Sequence, residues 1–301
     1  MSERRERQTP AVVVVGDVVT DVLAVHTEPL AIGSDTPAQV TTGGGGSGAN
    51  TAAWLAALGV PVTLVAVVGG DRAGEARLAE LEAAGVRCAA RRVDAMPTGT
   101  VVVVSDGAER TMLCDRGANL LLTAADVDAS LPAADHLHLS GYTLLDERSR
   151  PAGRHALAAA IAAGITTSVD AASAAPLRRA PGFLSWVRGT DLLFANLDEA
   201  TALVGAGPAA ELATRLAAGV RNAVVKSGPA GAVWAKAGAV PVHVPAIPAP
   251  MVDPTGAGDA FAAGVIGAWL GGRTRIDALL AGAEAGARAV SLVGGRPPLP
   301  L

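Results

Sequence analysis

The string Asp253-Pro254-Thr255-Gly256-Ala257-Gly258-Asp259-Ala260-Phe261 sets three small residues and then a carboxylate where a loop runs into an apolar segment. At a helix start the first backbone N–H groups lack intrahelical acceptors and point outward, and the helix dipole adds partial positive charge. Such a turn is an anion hole, suited to the charge that develops on a phosphoryl group in transfer. Small side chains at Gly256, Ala257 and Gly258 let an anion approach the backbone closely. Asp259 falls in the first turn, where a carboxylate can take a proton from an attacking hydroxyl as general base. A plain N-cap beside a tight glycine turn is the competing reading. A bare Gly-x-Gly-Asp divides evenly between the two; the longer string favours the anion hole.

A second cluster, Gly43-Gly44-Gly45-Gly46-Ser47-Gly48-Ala49-Asn50, precedes a helix and a strand. Gly43, Gly45 and Gly48 satisfy G-x-G-x-x-G, and Asp71 follows about 20 residues on, as in a dinucleotide fold. On that reading the chain is an NAD(P)-dependent oxidoreductase using the 43–48 glycine run. Against it, the fingerprint should follow the first buried strand directly, and about 27 residues intervene after Gly16. No Walker A string occurs, which excludes a P-loop nucleotide site.

Other residues gather at predicted strand ends. Gly16-Asp17 and Asp21 follow the first strand, at the end where open α/β sheets bind ligands. A carboxylate there can accept two sugar hydroxyls; an exposed turn is the alternative. Asn196-Leu197-Asp198-Glu199 joins a strand to a helix, and a Glu in a first turn is also common for dipole reasons alone. Lys226-Ser227-Gly228-Pro229-Ala230-Gly231 ends another strand, where Lys226 either reaches a phosphate or caps the strand. Asp170 ends a strand on the same side and can bond to a neighbouring turn. The five histidines show no ligand spacing, and His136 and His138, alternating on one strand, read as satisfied structure rather than a zinc site. Arg110 and Arg116 flank a hairpin and could meet an anionic substrate, though solvated surface arginines are the simpler reading.

These residues need elements to hold them. Ala11 to Val15 and Val62 to Val68 read as buried strands, because β-branched residues run without alternation. Asn50 to Leu58 and Ala73 to Ala84 read as helices closed by Gly59 and Gly85. Val101 to Val104 and Thr111 to Cys114 flank Asp106-Gly107 as a hairpin, and Ala232 to Ala235 with Val240 to Val244 suggest another. Strand-like runs end near Ser140, Asp170, Asn196 and Lys226, and a long helix should run from Gly258-Asp259 to about Leu270. Strand alternating with helix implies a mostly parallel sheet covered on both faces.

Half of the 301 residues are apolar but only 3% are aromatic, so Ala, Val and Leu must build the core. The net charge of −4, with no basic block after the first seven residues, argues against nucleic acid or an anionic membrane as partner. Residues 36–70 carry no charge, but Gly43 to Gly46, Gly59 and Pro61 break them into loop, helix and strand, so no membrane span is expected. The N-terminal apolar run stops at Gly16-Asp17, short of the ~7–15 residues of a signal-peptide core. Cys88 and Cys114 are too few for a disulfide framework, and a cytoplasmic location is expected.

The motifs together resemble the ribokinase-like (PfkB) carbohydrate kinase family. Asp-x-Thr-Gly-Ala-Gly-Asp is similar to its second signature, and Gly45-Gly46-Ser47-Gly48-Ala49-Asn50, continued by Val68-Gly69-Gly70-Asp71, to its first. The resemblance runs from Gly16 to Pro300. It implies a single kinase domain over 1–301: a three-layer α/β/α sandwich with a mostly parallel central sheet. A small β-lid from residues 22–42 and 96–114 would serve as a homodimer contact.

By resemblance the activity is ATP-dependent phosphorylation of a hydroxyl on a sugar, sugar acid or nucleoside. Asp259 is then the base, and the amides of Gly256, Ala257, Gly258 and Asp259 form the anion hole. Asp21, Gly45, Gly46 and Asn50 contact the substrate. Asn196, Glu199, Lys226, Gly228 and Gly231 face the nucleotide, and Glu199 helps place Mg²⁺ through water. Asp253, Thr255 and Gly294 match a potassium site, with Pro298 where ribokinases carry a hydroxyl ligand. Val19, Ser47 and Ser140 stand where ribokinases have Asn, Lys and Glu, which counts against ribose itself. Ser140-Gly141-Tyr142 looks more like sugar-acid or other branches of the family. A non-catalytic sugar-binding regulator on the same fold is a further alternative.

Overall fold

The computed structural model describes residues 9–106 and 110–299. Its strands are β1 (Val12–Val15), β2 (Val19–His26), β3 (Ala38–Gly45), β4 (Val62–Gly69), β5 (Arg87–Val93), β6 (Gly99–Ser105) and β7 (Arg110–Asp115). They continue with β8 (His136–Ser140), β9 (Thr166–Asp170), β10 (Leu192–Asn196), β11 (Asn222–Lys226), β12 (Ala232–Lys236) and β13 (Val242–Val244). Among the described residues they form a nine-stranded sheet, β13-β12-β11-β10-β9-β8-β1-β4-β5, and a four-stranded one, β3-β2-β6-β7. Every pairing from β11 across to β5 is parallel; β12 and β13 add an antiparallel edge.

Parallel neighbours need crossovers, and the crossover helices cover both faces. One layer holds α1 (Ser47–Ala57), α2 (Arg72–Ala83), α10 (Ala257–Leu270) and α11 (Arg275–Val290). The other holds α3 (Ala124–Asp128), α4 (Tyr142–Leu145), α5 (Arg150–Ala162), α6 (Ala174–Arg178), α7 (Phe183–Trp186), α8 (Leu197–Val204) and α9 (Ala209–Leu216). The run Val12–Val15 shows why the central strands lack alternation: Val12 and Val14 enter one core, Val13 and Val15 the other. The expected three-layer sandwich is the observed one.

Three expectations need correction. The lid is wider than residues 22–42, because β2 begins at Val19 and β3 runs to Gly45. Gly43, Gly44 and Gly45 pair with Asp21, Thr20 and Val19 inside that small sheet. The glycine run therefore does not turn the first buried strand into a helix; β1 feeds lid strand β2 instead, and the dinucleotide reading falls. Strand β5 escaped notice because Arg-Cys-Ala-Ala-Arg-Arg-Val interleaves charge with apolar residues at a half-buried sheet edge. The hairpin beside Asp106 is present, with Ser105 paired to Arg110. Gly107, the basic N-terminal residues and Pro300 lie outside the described residues, as does the Arg110 side chain.

The two strand histidines are held within a polar column. Thr166 Oγ1 donates to the Asp135 carbonyl, so His136 Nδ1 must donate to Thr166, 2.9 Å away. His136 Nε2 then accepts from Ser168 Oγ at 2.7 Å, and His138 Nδ1 donates to the same oxygen at 2.8 Å. Burial holds both rings neutral, lowering their pKa to about 3 and about 4.

Helix α10, which carries Asp259, is set by close packing on α11. A Cβ on Gly264 would lie 2.5 Å from the Ala281 carbonyl oxygen. Gly264→Ala should therefore push the pair apart and lower stability by about 1–3 kcal/mol in urea unfolding. An unchanged midpoint would mean the contact has slack.

Candidate active site

The C-terminal ends of the parallel strands meet at one edge of the sheet, where open α/β sheets place their ligands. Asp17 follows β1, Asp170 and Asn196 end β9 and β10, and Lys226 ends β11. With the inner face of the lid (Val19, Val101, Val103) and the start of α10, they line a cavity of about 740 Å³.

Gly256, the N-cap of α10, has φ 73°, and a Cβ there would lie 2.4 Å from Gly295 Cα. Only glycine satisfies both the left-handed backbone and the contact. Ala260 N–H makes a 2.9 Å bond to the Gly256 carbonyl, so the amides just before it belong to the open first turn. Asp259 lies in that turn. Its Oδ1 accepts from Ser47 Oγ at 2.9 Å and its Oδ2 from Asn50 Nδ2 at 3.0 Å. Loss of solvent raises its pKa to about 7, Asp170 adds to the rise, and the Asn50 and Ser47 bonds and Lys226 oppose it.

Lys226 Nζ pairs with Asp170 Oδ2 at 2.8 Å. It also sits against the start of α10, since a Cβ on Gly258 would lie 3.0 Å from Nζ. Desolvation opposes the ammonium, but Asp170 and Glu199 outweigh it and raise the Lys226 pKa. Glu199 forms a complete capping box: Asn196 N–H and Nδ2 each donate to its carboxylate at 2.8 Å, and Glu199 N–H donates to Asn196 Oδ1. Burial first and Asp170 second push Glu199 up to about 7. Three enclosed carboxylates thus share one ammonium, and oxygen donors of this kind suit a hydrated divalent cation.

On the lid side, Asp21 lines the cavity, and burial raises its pKa to about 6 against the pull of Arg296. A Cβ on Gly45 would lie 2.2 Å from the Asp21 carboxylate, so Gly45 makes room for it without lining the cavity. Gly46 has φ 99°, and a Cβ there would meet the Asp17 carbonyl oxygen at 2.4 Å. Asn50, Asn196, Glu199, Lys226, Gly228, Gly231 and Thr255 through Asp259 all line the cavity. Asp253 and Gly294 do not; Gly294 N–H donates to Asp253 Oδ2 at 2.9 Å, and Thr255 N–H to Oδ1 at 2.8 Å.

Arg116 is not a solvated surface residue. Its guanidinium lies 3.6 Å from the Tyr142 ring centroid, and Nη1 donates to Asp17 Oδ2 at 3.1 Å. Asp17 Oδ1 also accepts from Gly48 N–H and Ser140 Oγ. Sequence reasoning missed Arg296 altogether. Its Nη2 donates to the Gly45 carbonyl at 2.9 Å and its Nε to Asn50 Oδ1 at 3.3 Å, tying the C-terminal segment to lid and helix. The one signal was a lone charge after Gly294-Gly295.

Known proteins resemble this chain over most of its length. A family model described as pfkB family carbohydrate kinase matches residues 9–301. An ATP-dependent ribose-1-phosphate kinase of Halopiger xanaduensis is 36% identical over 270 residues, spanning 85% of this chain and 83% of that one. The crystal structure of adenosine kinase from Sinorhizobium meliloti superposes with a TM-score of 0.86 at 26% identity, covering 96% of each chain. A PfkB protein from Polaromonas sp. JS666 gives 0.79 at 26% identity, covering 94% of this chain and 96% of its own.

The raised Asp259 pKa has a consequence for stability. Between its ordinary value of 3.8 and about 7 the unfolded carboxyl ionises while the folded one does not, so stability drains away as pH rises across that window. Asp259→Asn removes the penalty at the expense of the Asn50 bond. At pH 8 it should be more stable than wild type by about 2–3 kcal/mol, with the gain shrinking by pH 5. Urea midpoints at the two pH values check this, and a pH-independent difference would contradict it.

Proposed function

The chain belongs to the pfkB family of carbohydrate kinases, and from that premise we propose that it transfers the γ-phosphate of ATP to a hydroxyl of a sugar, sugar acid or nucleoside, with Asp259 as general base. The observation that carries this reading is the Asp259 carboxylate, aimed by Ser47 and Asn50 and set in the first turn of α10 beside the Lys226 ammonium. Each of its oxygens keeps acceptor capacity beyond the single bond it makes, so an acceptor hydroxyl can donate to it as well. A base with a pKa near 7 matches neutral operation.

The amides of Gly256, Ala257, Gly258 and Asp259 receive the transferring phosphoryl group, and Lys226 leaves Asp170 to meet it. Bound Mg²⁺ would supply charge neutralisation across the phosphates. Glu199, its carboxylate fixed by Asn196, would help hold that ion, and Gly228 and Gly231 border the nucleotide side. Asp21, beside Gly45 and Gly46, accepts acceptor hydroxyls, and Asn50 both contacts the acceptor and orients the base. Asp253, Thr255 and Gly294 are the candidate potassium site, supported by the hydrogen bonds that draw them together. A homodimer through the lid and a cytoplasmic location complete the reading. Among the described residues no helix is long and apolar enough to cross a membrane.

Asp259→Asn should retain ATP binding and lose about 10²–10⁴-fold in turnover. In the wild type kcat/KM should climb with pH to a plateau above about 7 as Asp259 ionises, and the variant's residual rate should lack that limb. Steady-state ADP release from pH 5.5 to 9 measures both. Near-wild-type turnover in the variant would sink the assignment of the base.

A further inference from the structure

Behind the substrate end of the main cavity lies a second one of about 430 Å³. The two share a wall made of Asp17, Met112, Cys114, Arg116 and Tyr142. Arg116 belongs to both linings, so an acceptor in the main cavity and a group seated in this annexe would meet the same guanidinium.

The charges facing the annexe are Asp17, Arg116, Asp146 and Arg179. Both acids are already committed. Asp17 is buried and accepts from Gly48, Ser140 and Arg116. Asp146 Oδ1 accepts from the Arg148 amide at 2.9 Å and its Nε at 3.2 Å. Arg116 is the counter-charge of Asp17, but Tyr142 and Asp17 fix its plane with only Nη1 bonded, so its other N–H groups remain for a ligand, and it lines both cavities. Arg179, exposed at the end of α6, makes no ion pair among the described residues. The charge left over in the annexe is therefore that of Arg179, and planar guanidinium donors favour a phosphate or carboxylate.

Resting on the kinase reading above, we propose that the acceptor carries an anionic group opposite its reacting hydroxyl, and that Arg116 and Arg179 hold this group in the annexe. Both residues act in selecting the acceptor; neither touches the transferred phosphoryl group.

Two measurements test this. Thermal melts without ATP compare ribose 1-phosphate with ribose and gluconate with glucose, which separates phosphate from carboxylate. One anionic probe should protect the wild type more than its neutral partner, and Arg179→Ala should abolish the difference. ADP release with the same four probes should show kcat/KM higher for that anionic probe by about 10–100-fold, the worth of charge-assisted hydrogen bonds. Arg179→Ala and Arg116→Gln should each cut the anionic-to-neutral ratio about tenfold, mainly through KM. Arg179 is exposed, so its variant keeps the test valid if Arg116→Gln fails to fold. Equal protection by charged and neutral probes, or an unchanged ratio in both variants, overturns the proposal. Brisk turnover of ribose or a nucleoside without anionic preference overturns it while leaving the kinase reading intact. Failure of the protein to bind ATP at all would instead bring down the kinase reading.

Discussion

Everything at this site depends on keeping one carboxylate ionisable without leaving it bare. Asp259 sits at a helix start that favours negative charge, yet it is enclosed and feels the carboxylate of Asp170. Two hydrogen bonds and one lysine balance that cost. The hydrogen bonds come from Ser47 and Asn50 on α1, more than 200 positions away in the chain. The fold must therefore hold α1 and α10 against each other within a few tenths of an ångström, or the balance fails.

Several unrelated-looking features serve that requirement. Glycines let α10 pack hard on α11, and Gly256 lets the loop cross Gly295 backbone to backbone. Arg296 grips Asn50 from the other side while its second nitrogen holds the end of lid strand β3. Asn50 thus links the base, the C-terminal segment and the lid. A chain of hydrogen bonds thus runs from Asp259 through Asn50 and Arg296 to the end of lid strand β3.

Charge placement divides the cavity into two ends. Around Lys226 the acids outnumber the base, a setting that suits a cation. Around Arg116 the acids are paired, Asp17 with Arg116 and Asp146 with Arg148, and Arg179 makes no ion pair among the described residues.

Much of this was legible along the chain. The strand β1, helix α10 and the first-turn chemistry of Gly256 to Asp259 rest on local backbone rules, so a few consecutive residues reveal them. Strand β5 was not legible, because its charged residues fit a half-buried edge that only the finished sheet defines, where Arg91 pairs with Asp126. The Gly43–Gly45 run left a dinucleotide alternative open for a related reason: glycine patterns are local, but whether a strand or a turn contains them depends on a partner strand. Glu199 proved to be both the capping residue and a wall of the cavity, two roles one carboxylate can fill. The sequence by itself determined the layered α/β class and the reactive turn, since propensity and hydrophobic period act over short range. Only the tertiary structure decided that Asn50 bonds both Asp259 and Arg296, that Arg116 lines two cavities, and that burial raises the Asp259 pKa to about 7. Those outcomes arise from burial and Coulomb interactions between residues far apart in the chain, and no short window of sequence contains them.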